Sequence, residues 1–195
     1  MPPKADPTIL AFDTSAAHCA AALLWGGKIV SRVEEMSRGQ GERLMVLLEE
    51  VLTENGKTWA DLDAIGVGTG PGNFTGIRIS VAAARGLALG LGKPAIGVNG
   101  FEAVAFKTPR PCTAYLPAPR GQRYALELTE TGTNAPRQED GDAPAPDAFK
   151  MIEAIAQIAA ARVAQATEPF ARPAPMYVRA PDAAPPREKP PVILP

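Results

Sequence analysis

The sequence predicts an α/β fold built on a mixed sheet, and three observations predict it. Three short apolar runs, 8–14, 18–25 and 28–35, follow one another directly, and Gly26-Gly27 supplies a tight hairpin turn between the last two. Two longer segments, 41–55 and 74–91, space their apolar residues as helices do. Short apolar runs at 63–68 and 94–98 alternate with those helices, the order expected of parallel strands joined by crossover helices.

Each element has a local reason. The first strand, Ile9-Leu10-Ala11-Phe12, ends in Asp13-Thr14-Ser15, residues that favour turns. The first helix carries Leu44, Leu47, Leu48, Val51 and Leu52 on one stripe and stops at Asn55-Gly56. Strand 63–68 runs into Gly70-Pro71-Gly72-Asn73-Phe74-Thr75-Gly76, which opens the second helix, and the next strand starts behind Pro94. In the second half, 112–116 and 123–130 read as strands. Residues 134–146, acidic and aperiodic, read as a loop, and 147–166 as an alanine-rich helix with apolar residues at 151, 152, 155, 158 and 159. The chain divides on this reading into a domain 1–106, a shortened second domain 107–180 and a frayed Pro-rich tail 181–195.

Two segments carry chemistry. Strand, glycine turn and helix N-terminus in succession present free N–H groups and the positive end of a helix dipole, which favour an anion. The loop is not a Walker A motif, because Ile77 and Arg78 stand after Gly76 where Lys-Ser/Thr would be. Nor do the glycines at 66, 68, 70, 72 and 76 have dinucleotide-binding spacing. At the first strand's end, Asp13 is suited to hold a hydrated cation while Thr14 and Ser15 offer donors to a phosphate. The plainer reading makes one segment a hairpin turn and the other a close-packing turn. Together, and in this order, they suggest two lips of one cleft.

Three antiparallel strands followed by helix, strand, helix and strand is the layout of actin/sugar-kinase/Hsp70-like (ASKHA) domains. Leu10 to Ser15, Arg43-Leu44, Gly70 to Ile79 and Gly97-Val98 resemble the TsaB (YeaZ) family, the bacterial subunit for making threonylcarbamoyladenosine in tRNA. The likeness covers roughly 8–106 and returns at Pro175-Met176-Tyr177-Val178-Arg179, similar to the family's closing Pro-x-Tyr-x-Arg strand. It implies an N-terminal βββαβαβα half and a reduced second half of the same kind. Relatives carry Asp-Ala-Arg-x-Gly-Glu-Val-Tyr where this chain has Pro117-Ala118-Pro119-Arg120-Gly121-Gln122-Arg123-Tyr124, so the acid is missing. On this resemblance, 13–15 and 70–76 are degenerate nucleotide loops, with no obligatory cofactor and at most weak ATP or ADP binding.

Composition narrows the alternatives. Lys+Arg 20 against Asp+Glu 21 leaves no excess of positive charge to grip an RNA backbone, and Arg32, Arg38, Arg43, Arg78 and Arg85 are scattered along the chain. Weak tRNA binding by the isolated chain is therefore expected. Cys19 and Cys112 read as reduced core residues, and His18, the single histidine, as a surface residue of the hairpin turn; this set cannot make a zinc site. No charge-free stretch of eighteen strongly apolar residues and no leader pattern occurs, so a cytoplasmic protein without membrane contact is expected.

The helices point to a partner. Met45 and Val46 fall off the core stripe of the first helix, and the second is apolar on most sides, with Ala82, Ala83 and Gly86 keeping its surface small. Burial by the second domain is the competing expectation, but that domain is short and proline-rich, and 16 of the chain's 21 prolines fall after residue 108. In the resembled family this helix pair meets a homologue or a second copy. The expected interface comprises Arg43, Met45, Val46, Glu50, Arg78, Ala82, Ala83 and Gly86.

Three functions follow in order. The first is a non-catalytic scaffold pairing with the catalytic, glycoprotease-like (Gcp-like) homologue TsaD, with a TsaE-like ATPase joining, a homodimer as alternative, and tRNA engaged only indirectly. The second is an ATP-dependent small-molecule kinase, which needs a base and an adenosine pocket that the second half does not supply recognisably. A metallo-hydrolase comes last, because a single histidine cannot make its ligand pair.

Overall fold

The computed structural model describes residues 6–166 and 169–178. Strands β1 (Ile9–Asp13), β2 (His18–Trp25), β3 (Lys28–Glu35), β4 (Ala64–Gly68) and β5 (Ala95–Val98) form one sheet in the order β3-β2-β1-β4-β5. β1 pairs antiparallel with β2 and parallel with β4, so the N-terminal hairpins and the crossover units meet on it. Helix α1 (Gln40–Glu54) links β3 to β4, α2 (Phe74–Leu91) links β4 to β5, and the short α3 (Gly100–Val104) follows. The expected βββαβαβα order is present.

Side-chain alternation along the strands sorts the core into two layers. Leu10, Phe12, Leu23, Ile65 and Val67 meet Leu44, Leu47, Leu48 and Leu52 of α1, with Ala84 of α2. On the other face, Ile9, Ala11, Ala20, Ala22 and Ala64 meet helix α4 (Ala148–Gln165) through Ile152, Ile155, Ala156 and Ala159. Small strand residues let this helix approach closely: a Cβ at Gly66 would lie 3.0 Å from that of Ala11 and 3.2 Å from that of Ala159. α4 comes late in the chain yet packs on the N-terminal sheet. Arg162 ties it down by donating from Nη1 to the Gly97 carbonyl at 2.6 Å and pairing with Glu102.

A second sheet holds β6 (Cys112–Ala118), β7 (Gln122–Leu128) and β8 (Arg137–Asp140) in that order. Leu116, Leu126 and Leu128 close over Phe101 of α3. β8 lies inside the expected loop 134–146. Its sequence, Arg-Gln-Glu-Asp, has no apolar alternation, and it is held by the ladder to β7 and by Arg123 Nε donating to Glu139 Oε1 at 2.8 Å. The expected strand at 175–179 is not a strand over its described part, 175–178; a single backbone bond, Met176 N–H to the Thr69 carbonyl at 2.7 Å, attaches it to the end of β4. Arg179 and the Pro-rich tail 181–195 lie outside the described residues.

α2 is long and apolar enough to span a membrane by length and composition alone. It carries Arg78 and Arg85, and it lays Ile77, Val81 and Ala84 on the sheet. The second sheet does not cover the rest: Leu89 is 86% exposed.

Candidate functional site

The parallel pairing of β1 with β4, Phe12 opposite Val67, sets the ends of both strands side by side, where α/β sheets place their ligands. The two loops expected to face each other do so, and they interlock. Thr14 Oγ1 donates to the Gly76 carbonyl at 2.6 Å, and Asn73 N–H donates to the Ser15 carbonyl at 2.6 Å. Asn73 also caps α2, its Oδ1 accepting from Gly76 N–H at 2.9 Å. The glycines are needed for this closeness: a Cβ at Gly72 would lie 2.3 Å from the Ser15 carbonyl oxygen, and one at Gly76 only 1.9 Å from that of Thr14. Gly70 holds φ +90, a conformation natural to glycine, and its carbonyl accepts from Gly100 N–H at 2.7 Å.

Asp13 is buried at the centre of the interlock. Its Oδ2 accepts from Ser15 N–H at 3.2 Å and Ser15 Oγ at 2.8 Å, and lies 3.1 Å from His18 Nε2. Its Oδ1 is buried without a partner. Gly68 leaves it room, since a Cβ there would lie 2.0 Å from Oδ1. His18 is therefore not the surface turn residue expected: it opens β2, and its ring is largely covered against Asp13. The missed signal was the spacing, which puts the single histidine five residues after the strand-end acid.

Beside it, Cys19 is fully buried, and burial pushes its thiol up to about 11 from an ordinary 9.0. The folded state favours the neutral thiol, so this contribution to stability is complete below pH 9 and lost as pH rises through 11. In a Cys112→Ser background, Cys19 is expected to resist a thiol reagent in the folded chain at pH 8 and to react once urea unfolds it. Equal rates in both states would show that the β2 core opens readily.

The residues expected at a partner interface do not form one patch. Met45 and Val46 are exposed and line an open apolar groove with Glu49, Trp59, Leu87 and Leu91. Ala83 packs half-buried at the same α1–α2 seam, whereas Ala82 and Gly86 face outward. Arg43 and Glu50 sit on the β3 side of α1 in an ion network. Arg43 donates to Glu34 (Nε to Oε2, 2.7 Å) and to Glu50 (Nη1 to Oε1, 2.9 Å), and these bonds hold both carboxyls below their ordinary range. Arg32 joins from β3 through Glu50 at 3.1 Å and through Glu54. Arg78 stands on the other flank of α2, its guanidinium 3.8 Å from the Phe74 ring centroid and its Nε donating to Tyr177 Oη at 3.0 Å.

Comparison with known proteins agrees with this architecture. The family described as TsaD, tRNA N6-adenosine threonylcarbamoyltransferase, matches residues 32–182. The tRNA threonylcarbamoyladenosine biosynthesis protein TsaB of Escherichia coli is 38% identical over 97 residues, covering 50% of this chain and 42% of that protein. A tRNA N6-adenosine threonylcarbamoyltransferase of a Jannaschia species is 37% identical over 123 residues, covering 53% of this chain and 34% of that protein. The solved structure of YeaZ from Pseudomonas aeruginosa superposes with a TM-score of 0.65 at 25% identity, covering 88% of this chain and 99% of that one. The chain thus spans less than half the length of the curated relatives it matches. With the family match across most of the chain, the chain belongs to the TsaD family, as a TsaB/YeaZ member with the actin-like fold.

Proposed function

We propose that the chain is a non-catalytic scaffold in threonylcarbamoyladenosine modification of tRNA, acting by heterodimerising with a TsaD-like catalytic homologue, with a TsaE-like ATPase joining the pair. The observation that carries this reading is the uncovered groove between α1 and α2, where Met45 and Val46 are exposed beside Leu87 and Leu91. Apolar side chains of this size each gain roughly 1.5–3 kcal/mol on full burial, so a protein partner is their natural cover. A homodimer uses the same surface in the absence of the homologue. The reading places the chain in the cytoplasm, with tRNA modified there.

The interlocked loops support a lack of catalysis. Thr14 Oγ1 and Ser15 Oγ, the donors a phosphate would need, are spent on the Gly76 carbonyl and on Asp13. One observation favours the alternative, an ATP-dependent kinase: the buried, unpartnered Asp13 Oδ1 is the type of oxygen that binds a hydrated cation. Purified chain is expected to turn over no ATP alone and to co-elute with the catalytic homologue in size-exclusion chromatography. Steady ATP hydrolysis abolished by Asp13→Ala would promote the kinase, and independent elution of the two proteins would remove the scaffold.

A further inference from the structure

Scattered in sequence, several cations and rings come together on one flank of α2. Phe74 and Arg78 lie one turn apart on the helix, and residues 173–178 bring Tyr177, ninety-nine residues beyond Arg78, against both. The Phe74 and Tyr177 ring centroids are 5.1 Å apart, and Arg78 stacks on Phe74 at 3.8 Å. Arg85 joins from the same flank by donating from Nε to the Pro173 carbonyl at 2.7 Å, and exposed Arg172 is the preceding residue.

Among the described residues, no carboxylate pairs with the patch. Residues 64–101 and 169–178 contain neither Asp nor Glu. Arg32, Arg43, Arg123, Arg137 and Arg162 each pair with a carboxylate, whereas Arg78 and Arg85 have no carboxylate partner among the described residues. Fixing the C-terminal segment does not require the rings to be open to solvent. That segment is already held by the Met176 bond to Thr69, by Arg85, and by Met176 and Val178 packing on the Phe101 cluster. Phe74 and Tyr177 nevertheless remain 37% exposed each. The patch is also separate from the partner groove: positions 74, 78 and 85 lie about 160° around the helix from 79, 83 and 87, which face α1.

Exposed rings, a stacked guanidinium and unopposed cations are the elements that hold single-stranded nucleic acid, with bases on the π faces and phosphates on the cations. We propose that Phe74, Arg78 and Tyr177, flanked by Arg85 and Arg172, form a contact for unpaired nucleotides of RNA, an inference that rests on the tRNA-modification reading above. A single site of this kind is weak by itself, in keeping with the net charge of −1. Its place is as an auxiliary hold on RNA that an assembled complex binds chiefly elsewhere.

A 12-nucleotide single-stranded RNA carrying 2-aminopurine tests it on the full chain. Binding is expected with Kd in the ~10⁻⁴–10⁻⁶ M range, with quenching of the fluorophore as its base stacks. Phe74→Ala is expected to remove the quench and weaken binding about tenfold. Arg78→Gln is expected to weaken it similarly and to lower the salt slope by about one. Arg38→Gln, the same loss of charge at an exposed turn, is expected to change neither, and thermal melts check that the variants fold. Wild-type RNA affinity in both Phe74→Ala and Arg78→Gln overturns the proposal. So does unchanged RNA binding combined with lost association with the catalytic homologue, which makes the patch a protein contact. A wild-type chain that never associates with that homologue strikes instead at the scaffold reading.

Discussion

Gly76→Ala is expected to destabilise the chain by about 3 kcal/mol or more, the upper end of what overpacking costs. The added Cβ would sit 1.9 Å from the Thr14 carbonyl oxygen, which is backbone and cannot rotate aside. Relief needs β1's end and the start of α2 to separate. That separation breaks the bond from Thr14 Oγ1 to the Gly76 carbonyl and the one from Asn73 N–H to the Ser15 carbonyl. Thr14→Val makes the comparison, since it keeps the shape, removes only the 2.6 Å bond, and is expected to cost about 1 kcal/mol. Urea denaturation with unchanged m-values measures both. A Gly76→Ala chain within about 0.5 kcal/mol of its parent would show that the two loops are not closely packed.

Under the proposed scaffold function, Val46→Glu is expected to weaken association with the catalytic homologue about thirtyfold or more while leaving the monomer's melt within about 0.5 kcal/mol of its parent. Val46 is 50% exposed in the free chain, so a carboxylate there stays in water until a partner covers it. Burying that charge unpaired costs association about 2 kcal/mol or more, roughly thirtyfold in Kd. Ala82→Arg, on the outward face of α2, is expected to act in the same way. Ala83→Arg is not an equivalent probe: Ala83 is half-buried at the α1–α2 seam, so a long cation there is expected to disturb folding as well. Size-exclusion chromatography with the homologue reads the association and a thermal melt reads the fold. Normal association of both Val46→Glu and Ala82→Arg would place the partner surface elsewhere.

Local pattern was enough wherever one element's own residues decide its state. The leucine stripe of α1, the Asn55-Gly56 stop, the Gly26-Gly27 hairpin and the strand–glycine–helix succession at 63–91 are short-range signals, and the elements stand where they point. The juxtaposition of 13–15 with 70–76 was legible too, because a parallel β1–β4 pair must align those strand ends. β8 escaped for the opposite reason, and α3 was expected from the family resemblance alone, not from its own residues. One is four polar residues stabilised only by pairing with β7, and the other is five residues held by the Asn99–Glu102 capping box under the second sheet.

By itself, then, the sequence determined the α/β class, the order of its principal elements and the loops at the strand ends, because hydrophobic period and turn chemistry act over a few residues. Tertiary structure alone decided what those parts touch. It set α4 on the alanine face of the first sheet, where close approach depends on small residues in four different segments. It buried His18 against Asp13. It also divided the expected interface residues among a groove, an ion network and an aromatic flank, because helix rotation and the path of residues 169–178 are set by packing between distant segments, which no local pattern encodes.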